Sequence, residues 1–418
     1  MISGKVLLPV LVGTAIGAAG WMQASRGGGS ELLLEELRIA EQEIAMMERE
    51  NASLRSLAQG GGEVAVPQEM IAKVEKDYGL TFLASPVFHR IAGEELGYRI
   101  EAAIESRFGP QGVDDRQEAY RLIGWLREGE GLLEQIVAVK SVGALGWFDE
   151  MTGDAWVTDR FDLKNVPDQA AMVRLLVRIL LNQHFPPPAV YLGDDAARAR
   201  EALHAGAASG AEARLYAASA RGIGFMPMND NSAAARLLLT LSEFVQGVSL
   251  FPAVEGKSLA ETLYLKGAAE FADGMRKSPQ NTLEIVLPGE SGRGGEVTLP
   301  EIPEEVYLRE SAGYLGLRLW ISLTDDLGMA EEVSRSWLKD SYVLFADGEM
   351  SSGLVWEVTF ENKAAADTFA KVSHDFTQAM AVKGRYLGTV RVSETTVRFF
   401  NTATKESAAK LEENSNRK

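Results

Sequence analysis

Cysteine is absent from the 418 residues, which excludes disulfides, thiolate nucleophiles and cysteine-ligated zinc by count alone. Imidazole is scarce. His89, His184, His204 and His374 are the only histidines available for metal ligation or for proton transfer near neutral pH. Positive charge is in deficit: 42 Lys and Arg stand against 59 Asp and Glu, a formal net charge of −17. Such a surface repels phosphate backbones, so no nucleic-acid partner is expected. Phosphate-cradling loops are also missing, because Gly292-Arg293-Gly294-Gly295 lies in a turn-rich stretch rather than between a strand and a helix. Ser336-Trp337-Leu338-Lys339 has the Ser-x-x-Lys spacing without its companion motifs. His374 and Asp375 are adjacent and would point in different directions from a helix, which rules out a triad pairing.

Apolar residues are plentiful. They make up 46% of the chain, enough to fill one large core or two medium ones. The run Val6 to Met22 carries no charge and is just long enough to cross a bilayer as a helix. It reads as a membrane anchor or a signal sequence; the large Met22 before Gln23-Ala24 disfavours cleavage. The expectation is a single-pass protein of the cytoplasmic membrane, held through residues 6–22, with its body outside the cytoplasm, periplasmic or extracellular.

From Glu31 to Ala58 the composition turns to Glu, Leu, Arg and Ala, and Leu33, Leu37, Ala40, Ile44, Met47 and Leu54 recur at alternate spacings of four and three. This is a heptad seam, and Asn51 falls where a buried amide fixes a two-stranded register. A parallel homodimer is expected, against the alternative of a lone amphipathic helix docked on the body. The segments are then 1–29 anchor and linker, 30–58 coiled-coil stalk, 59–66 flexible linker around Gly60-Gly61-Gly62, 67–402 body, and 403–418 disordered tail.

The body mixes helical periods with short β-type runs, so an α+β fold is expected. Trp147-Phe148-Asp149 and Ala155-Trp156-Val157-Thr158 flank Met151-Thr152-Gly153-Asp154 as a hairpin. Pro167 to Phe185 reads as a helix stopped by Pro186-Pro187-Pro188. Helices are expected over Asp195–Ser219, Ser232–Gln246 and Lys363–Ala381, with Asp194-Asp195 and Asp325-Asp326 at helix starts. Paired strands are expected at Tyr342–Phe345 with Val355–Phe360, and two more across Tyr386–Phe400.

Over Leu133 to Phe369 these blocks resemble gluzincin-type bacterial metallopeptidase-like proteins. Gly146-Trp147-Phe148-Asp149 is similar to the family's Gly-Phe-Tyr-Asp hairpin, and Asn182-Gln183-His184-Phe185 to the Gln-His-Phe that follows its His-Glu-x-x-His. Ala202-Leu203-His204-Ala205-Gly206-Ala207-Ala208 is similar to Ala-Leu-x-Glu-Gly-Asp-Ala, the third-ligand segment, with Ala205 and Ala207 in place of the two acids. Asn281 to Pro288, Ser336-Trp337-Leu338-Lys339-Asp340 and Phe360-Glu361-Asn362-Lys363 are similar to later blocks.

The resemblance places the zinc motif on Arg174-Leu175-Leu176-Val177-Arg178, so both histidines are arginine and the general base is leucine. A zinc peptidase needs two neutral imidazoles at i and i+4, a carboxylate to take the water proton, and a third ligand. None of the four is present, which implies a pseudoenzyme with no catalytic residues, no metal and no cofactor. Arg174 and Arg178 share a helix face. They either hold a carboxylate of a peptide or protein ligand in the vestigial cleft, or pair with the body's own acids as an internal brace. His184 and His204 read as structural histidines. Binding or scaffolding in the cell envelope is the expected function; a hydrolase with an unrecognised residue set and a purely architectural component are the alternatives.

Overall fold

The computed structural model describes residues 62–413, apart from 110, 224–232, 291, 296, 298, 300, 301, 303, 324–326 and 381–383. The described chain runs α1 (Gln68–Tyr78), β1 (His89–Ile91), α2 (Glu95–Phe108), α3 (Gly112–Ile123), α4 (Leu132–Ser141), β2 (Gly146–Phe148), β3 (Ala155–Thr158), α5 (Val166–His184) and α6 (Asp194–Ile223). It continues through α7 (Ala233–Leu238), α8 (Glu243–Phe251), a π-helical turn (Pro252–Gly256), α9 (Lys257–Lys266), α10 (Ala268–Arg276), α11 (Leu283–Val286) and β4 (Val306–Glu310). It ends with α12 (Gly313–Ser322), α13 (Leu327–Arg335), β5 (Trp337–Ala346), β6 (Ser352–Phe360), α14 (Lys363–Ala379), β7 (Tyr386–Arg391), β8 (Thr396–Thr402) and α15 (Lys405–Glu413).

The expected hairpin is β2 with β3, and Trp147 lies opposite Trp156 with the rings stacked 5.6 Å apart, an aromatic cross-strand pair that stabilises the short ribbon. β1 adds in parallel to the far edge of β3, giving the order β1-β3-β2. The second sheet has the order β4-β5-β6-β8-β7 and every pairing is antiparallel. Its strands alternate as period two requires. Tyr342, Leu344, Trp356, Val358 and Phe399 enter the main core with Trp320 and Phe369, while Val343, Phe345, Val355 and Phe400 form a second core with Ala408 and Leu411 of α15. Asn362 begins α14 by accepting the Ala365 amide at 2.9 Å, the side-chain cap that its position before the helix supplies.

Several expectations are corrected. Among the described residues no helix is long and apolar enough to cross a membrane, and the most apolar long helix, α5, carries Asp168, Arg174 and Arg178. Among the described residues the fold class is therefore mixed helix and sheet with no membrane-spanning helix, and the single-pass membrane localisation is withdrawn. Val6 to Met22 lies outside the described residues, as do the stalk positions Leu33, Leu37, Ile44, Met47, Asn51 and Leu54 and the pair Asp325-Asp326.

The tail from 403 is not wholly irregular. Lys405–Glu413 is a helix whose Ala408 and Leu411 are buried over the sheet, an amphipathic pattern masked in the sequence by its high charge. Gly62 to Val64, expected within a flexible linker, pairs with the start of β1, the Val64 amide donating to the Phe88 carbonyl at 2.8 Å and the Arg90 amide to the Gly62 carbonyl at 3.3 Å. The single helix expected over Ser232–Gln246 is two: α7 ends at Leu238, where the Thr240 hydroxyl donates to the Leu237 carbonyl at 2.7 Å, and Ser242 caps α8 by accepting the Val245 amide.

Candidate functional site

α5 starts where Pro167 sets φ for the first turn and ends before the triple proline. Its apolar face, including Leu175 and Leu176, is buried. α6 packs along it and also crosses the π-helical turn at very short range: a Cβ on Gly206 would sit 2.2 Å from the Gly256 carbonyl carbon, and one on Gly256 2.1 Å from the Ala202 oxygen. Only glycines permit that crossing. Of the two alanines in the third-ligand segment, Ala207 is buried and its carbonyl accepts the Tyr78 hydroxyl at 3.0 Å, while Ala205 is partly exposed.

The hairpin turn delivers the residue that organises this interface. Asp149 is spent on the turn itself, its Oδ1 accepting the Met151 amide at 2.8 Å. The next residue, Glu150, reaches α5 and α6. Arg178 donates from Nη2 to Glu150 Oε1 and, at 2.8 Å, to Glu201 Oε2 of α6. Arg200 donates to the other Glu150 oxygen at 2.5 Å and to the Phe185 carbonyl at 2.8 Å. Asn182 Nδ2 donates to the Glu150 carbonyl at 3.2 Å.

Two guanidiniums and two carboxylates thus close on one another. Burial alone would raise the Glu150 carboxyl, but Arg178 and Arg200 outweigh it and hold it at about 2. Burial likewise opposes the charge on Arg178, and Glu150 and Glu201 overcome it, so the guanidinium is held more firmly than usual. His204, buried beside them, is pushed well below its ordinary value by burial and by Arg200 and Arg178, so it is neutral.

Arg174 stands apart. Its Nε is 3.8 Å from Glu212 and its side chain is 36% exposed, so this pair is worth little. The structure therefore does not bring Arg174 and Arg178 together on one ligand: Arg178 is consumed by internal acids and Arg174 faces outward. The helix positions do not fit zinc. Arg178 supplies a cation, Leu175 is a packed core side chain, and neither can ligate or take a proton. Among the described residues, no group of three or more His, Cys, Asp or Glu side chains is arranged to hold a metal ion. His184 is tied by Nε2 to the Thr81 carbonyl at 2.7 Å, and Gln183 clamps the same loop through the Leu83 and Ala84 amides.

A second polar cluster, missed by the sequence reading, sits at the start of α6. Asp194 takes Arg116 Nε at 3.0 Å and the Tyr120 hydroxyl at 2.9 Å, together with the Tyr191 hydroxyl, with Arg198 3.5 Å away. Glu310 of β4 accepts the Asp194 amide at 2.8 Å and Arg116 at 2.7 Å. Beside them, Asp195 accepts the Thr282 hydroxyl at 2.6 Å, and that hydroxyl accepts the Leu315 amide at 2.9 Å. Burial pushes Asp195 up to about 7, with Asp340 adding to the effect. Glu310 is raised to about 7 by burial and then by Asp194.

Asp340 is the most fully satisfied carboxylate of the set. It accepts from Ser311 Oγ, the Ala312 and Gly313 amides, and the indoles of Trp337 and Trp356, all between 2.7 and 3.0 Å. These acids are sealed into packing, so they order α3, α6, α12 and the large sheet rather than face a substrate. Several of the partners are distant in sequence, Arg116 lying 78 residues from Asp194 and 194 from Glu310 and Thr282 lying 87 from Asp195, so local spacing does not announce the cluster.

No known protein family, curated protein or solved structure matches this chain. The metallopeptidase resemblance therefore stands on the quoted residue blocks alone.

Proposed function

We propose that this chain is a non-catalytic scaffolding protein in which a metallopeptidase-like body has exchanged a metal centre for an internal ion-pair brace, and in which the heptad segment 31–58 pairs two copies. The observation that carries the reading is the closure of Arg178 on Glu150 and Glu201, with Arg200 on the other oxygen of Glu150. A zinc peptidase face must present neutral nitrogen ligands and leave a coordination position open. This face presents charges already neutralised by one another. The same closure argues against anion capture, since a carboxylate ligand would have to displace two internal ones from Arg178. Recognition of partners then falls to other surfaces of the body and to the stalk.

The test is turnover. The purified chain, with and without added zinc, is offered a mixed fluorogenic peptide library and assayed with and without a chelator. No chelator-sensitive hydrolysis is expected; hydrolysis that follows zinc loading and disappears on Glu150→Gln or Glu201→Gln would overturn the proposal.

A further inference from the structure

Where the end of α14, the start of β7 and α15 meet, the surface holds a cavity of about 350 Å³ lined by Arg385, Tyr386, Phe400, Lys405, Ala409 and Glu412, among others. It is remote in sequence from the α5–α6 brace and takes no part in it. Its floor depends on Gly388, which lies opposite Phe400 in the β7–β8 register. A Cβ there would stand 2.2 Å from Phe400 Cζ, so only glycine leaves the ring free to lie across the edge strand. One wall is α15, the helix anchored by Ala408 and Leu411 over the sheet and by the Arg398 guanidinium donating to the Leu411 carbonyl at 2.6 Å. The cavity therefore has an ordered strand floor with Phe400 buried beneath it, the half-exposed Tyr386 ring at its edge, and an ordered helical side.

Its charge is unbalanced. Arg385 donates from Nε to Asn401 Oδ1 at 2.8 Å, from Nη1 to the Ser352 carbonyl at 2.9 Å and from Nη2 to the Asn401 carbonyl at 3.0 Å. All three acceptors are neutral oxygens. A guanidinium has five N–H groups, so one hydrogen on each Nη remains after these bonds. The contrast with Arg178 is direct: there burial is overcome by carboxylates, whereas here burial wins and pulls the Arg385 value below the ordinary range despite Glu118 and Asp347 farther off. Lys405 adds a second cation to the lining and Glu412 a single anion, so the lining itself presents two cations to one anion. A fixed fork of N–H donors beside an aromatic surface is the arrangement that holds a planar carboxylate carried on a flat apolar body.

We propose that this cavity is a binding site for a small aromatic carboxylate, its anionic head on Arg385 and Lys405 and its ring against Tyr386. The site is independent of the scaffolding proposal and fails or stands separately from it.

Isothermal titration of the full chain with 3-phenylpropionate, and with its neutral amide, tests the assignment. The acid is expected to bind saturably at one site, and the amide about tenfold or more weaker, because it lacks the charge that Arg385 and Lys405 meet. Arg385→Gln should weaken the acid by a similar factor. That substitution also touches the tether to Asn401, so Ala409→Phe, at an exposed position of α15, provides a second variant: it fills the cavity without altering a charge and should abolish binding with the circular dichroism unchanged. Lys405→Gln should weaken binding less than Arg385→Gln. Absence of saturable binding up to about 10 mM, equal binding of acid and amide, or full binding by folded Ala409→Phe would each overturn the proposal.

Discussion

Glu150 is the residue on which the brace turns, because it accepts from guanidiniums on both α5 and α6. Glu150→Gln leaves Arg178 with Glu201 and takes from Arg200 the carboxylate it donates to. Removing one member of a buried ionic group costs about 3 kcal/mol, since the survivors lose compensation; chemical denaturation should show a lowered midpoint with an unchanged slope. In a double-mutant cycle, Arg178→Met and Glu150→Gln should couple by more than about 1 kcal/mol, and additive effects would show that the two do not act as a unit.

Proton linkage separates the two polar clusters. Glu150 is depressed in the folded state, so its contribution is present above its ordinary carboxylate value and lost as pH falls toward about 2. Asp195 and Glu310 are raised to about 7, so the folded state holds protons that the unfolded state has released. Their contribution favours folding at acid pH and is withdrawn as pH rises from about 4 to about 7. Asp195→Asn should flatten the fall of melting temperature between about pH 4 and about pH 7. An unchanged slope would contradict the burial argument.

At the scale of elements, the crossing of α6 with the π-helical turn admits no side chain. Gly206→Ala places a methyl against the Gly256 carbonyl and should cost about 1–3 kcal/mol by overpacking, read as a drop in melting temperature. α15 is a structural element despite its charge. Ending the chain before Lys405 uncovers Phe345, Val355 and Phe400 and strips the Leu411 carbonyl from Arg398, whose cross-strand partner Glu357 is equally buried. Loss of soluble folded protein is expected; a truncated chain of unchanged stability would show that α15 merely rests on the sheet.

Helices and strands whose patterns are local were legible in the sequence. Proline and triple proline bracket α5, the turn residues Met151 to Asp154 mark the β2–β3 hairpin, and the helical run from Lys363 marks α14. What was not legible depends on distance. β1 joins β3 in parallel across an interval that offers no turn signal, the α15 face shows only against a sheet already folded, and Glu150, Arg200 and Glu201 look like ordinary surface charges until α5 and α6 are brought together. For the same reason the resemblance could place Arg178 on the motif face but could not choose between a ligand clamp and a brace.

For the molecule as a whole, one hydrophobic core runs from Val74 in α1 through α5, α6 and α12 to Phe399 in β8. A core shared this widely predicts one cooperative unfolding transition for the unit 62–418, with calorimetric and van't Hoff enthalpies in agreement. The central claim is that a face resembling a zinc motif has become an ionic brace. The most direct measurement is the zinc content of the purified full chain after incubation with excess Zn²⁺ and dialysis, read by native mass spectrometry. The account predicts no stoichiometric zinc. One zinc retained per chain would mean that ligands lie elsewhere than the α5 face and would contradict it.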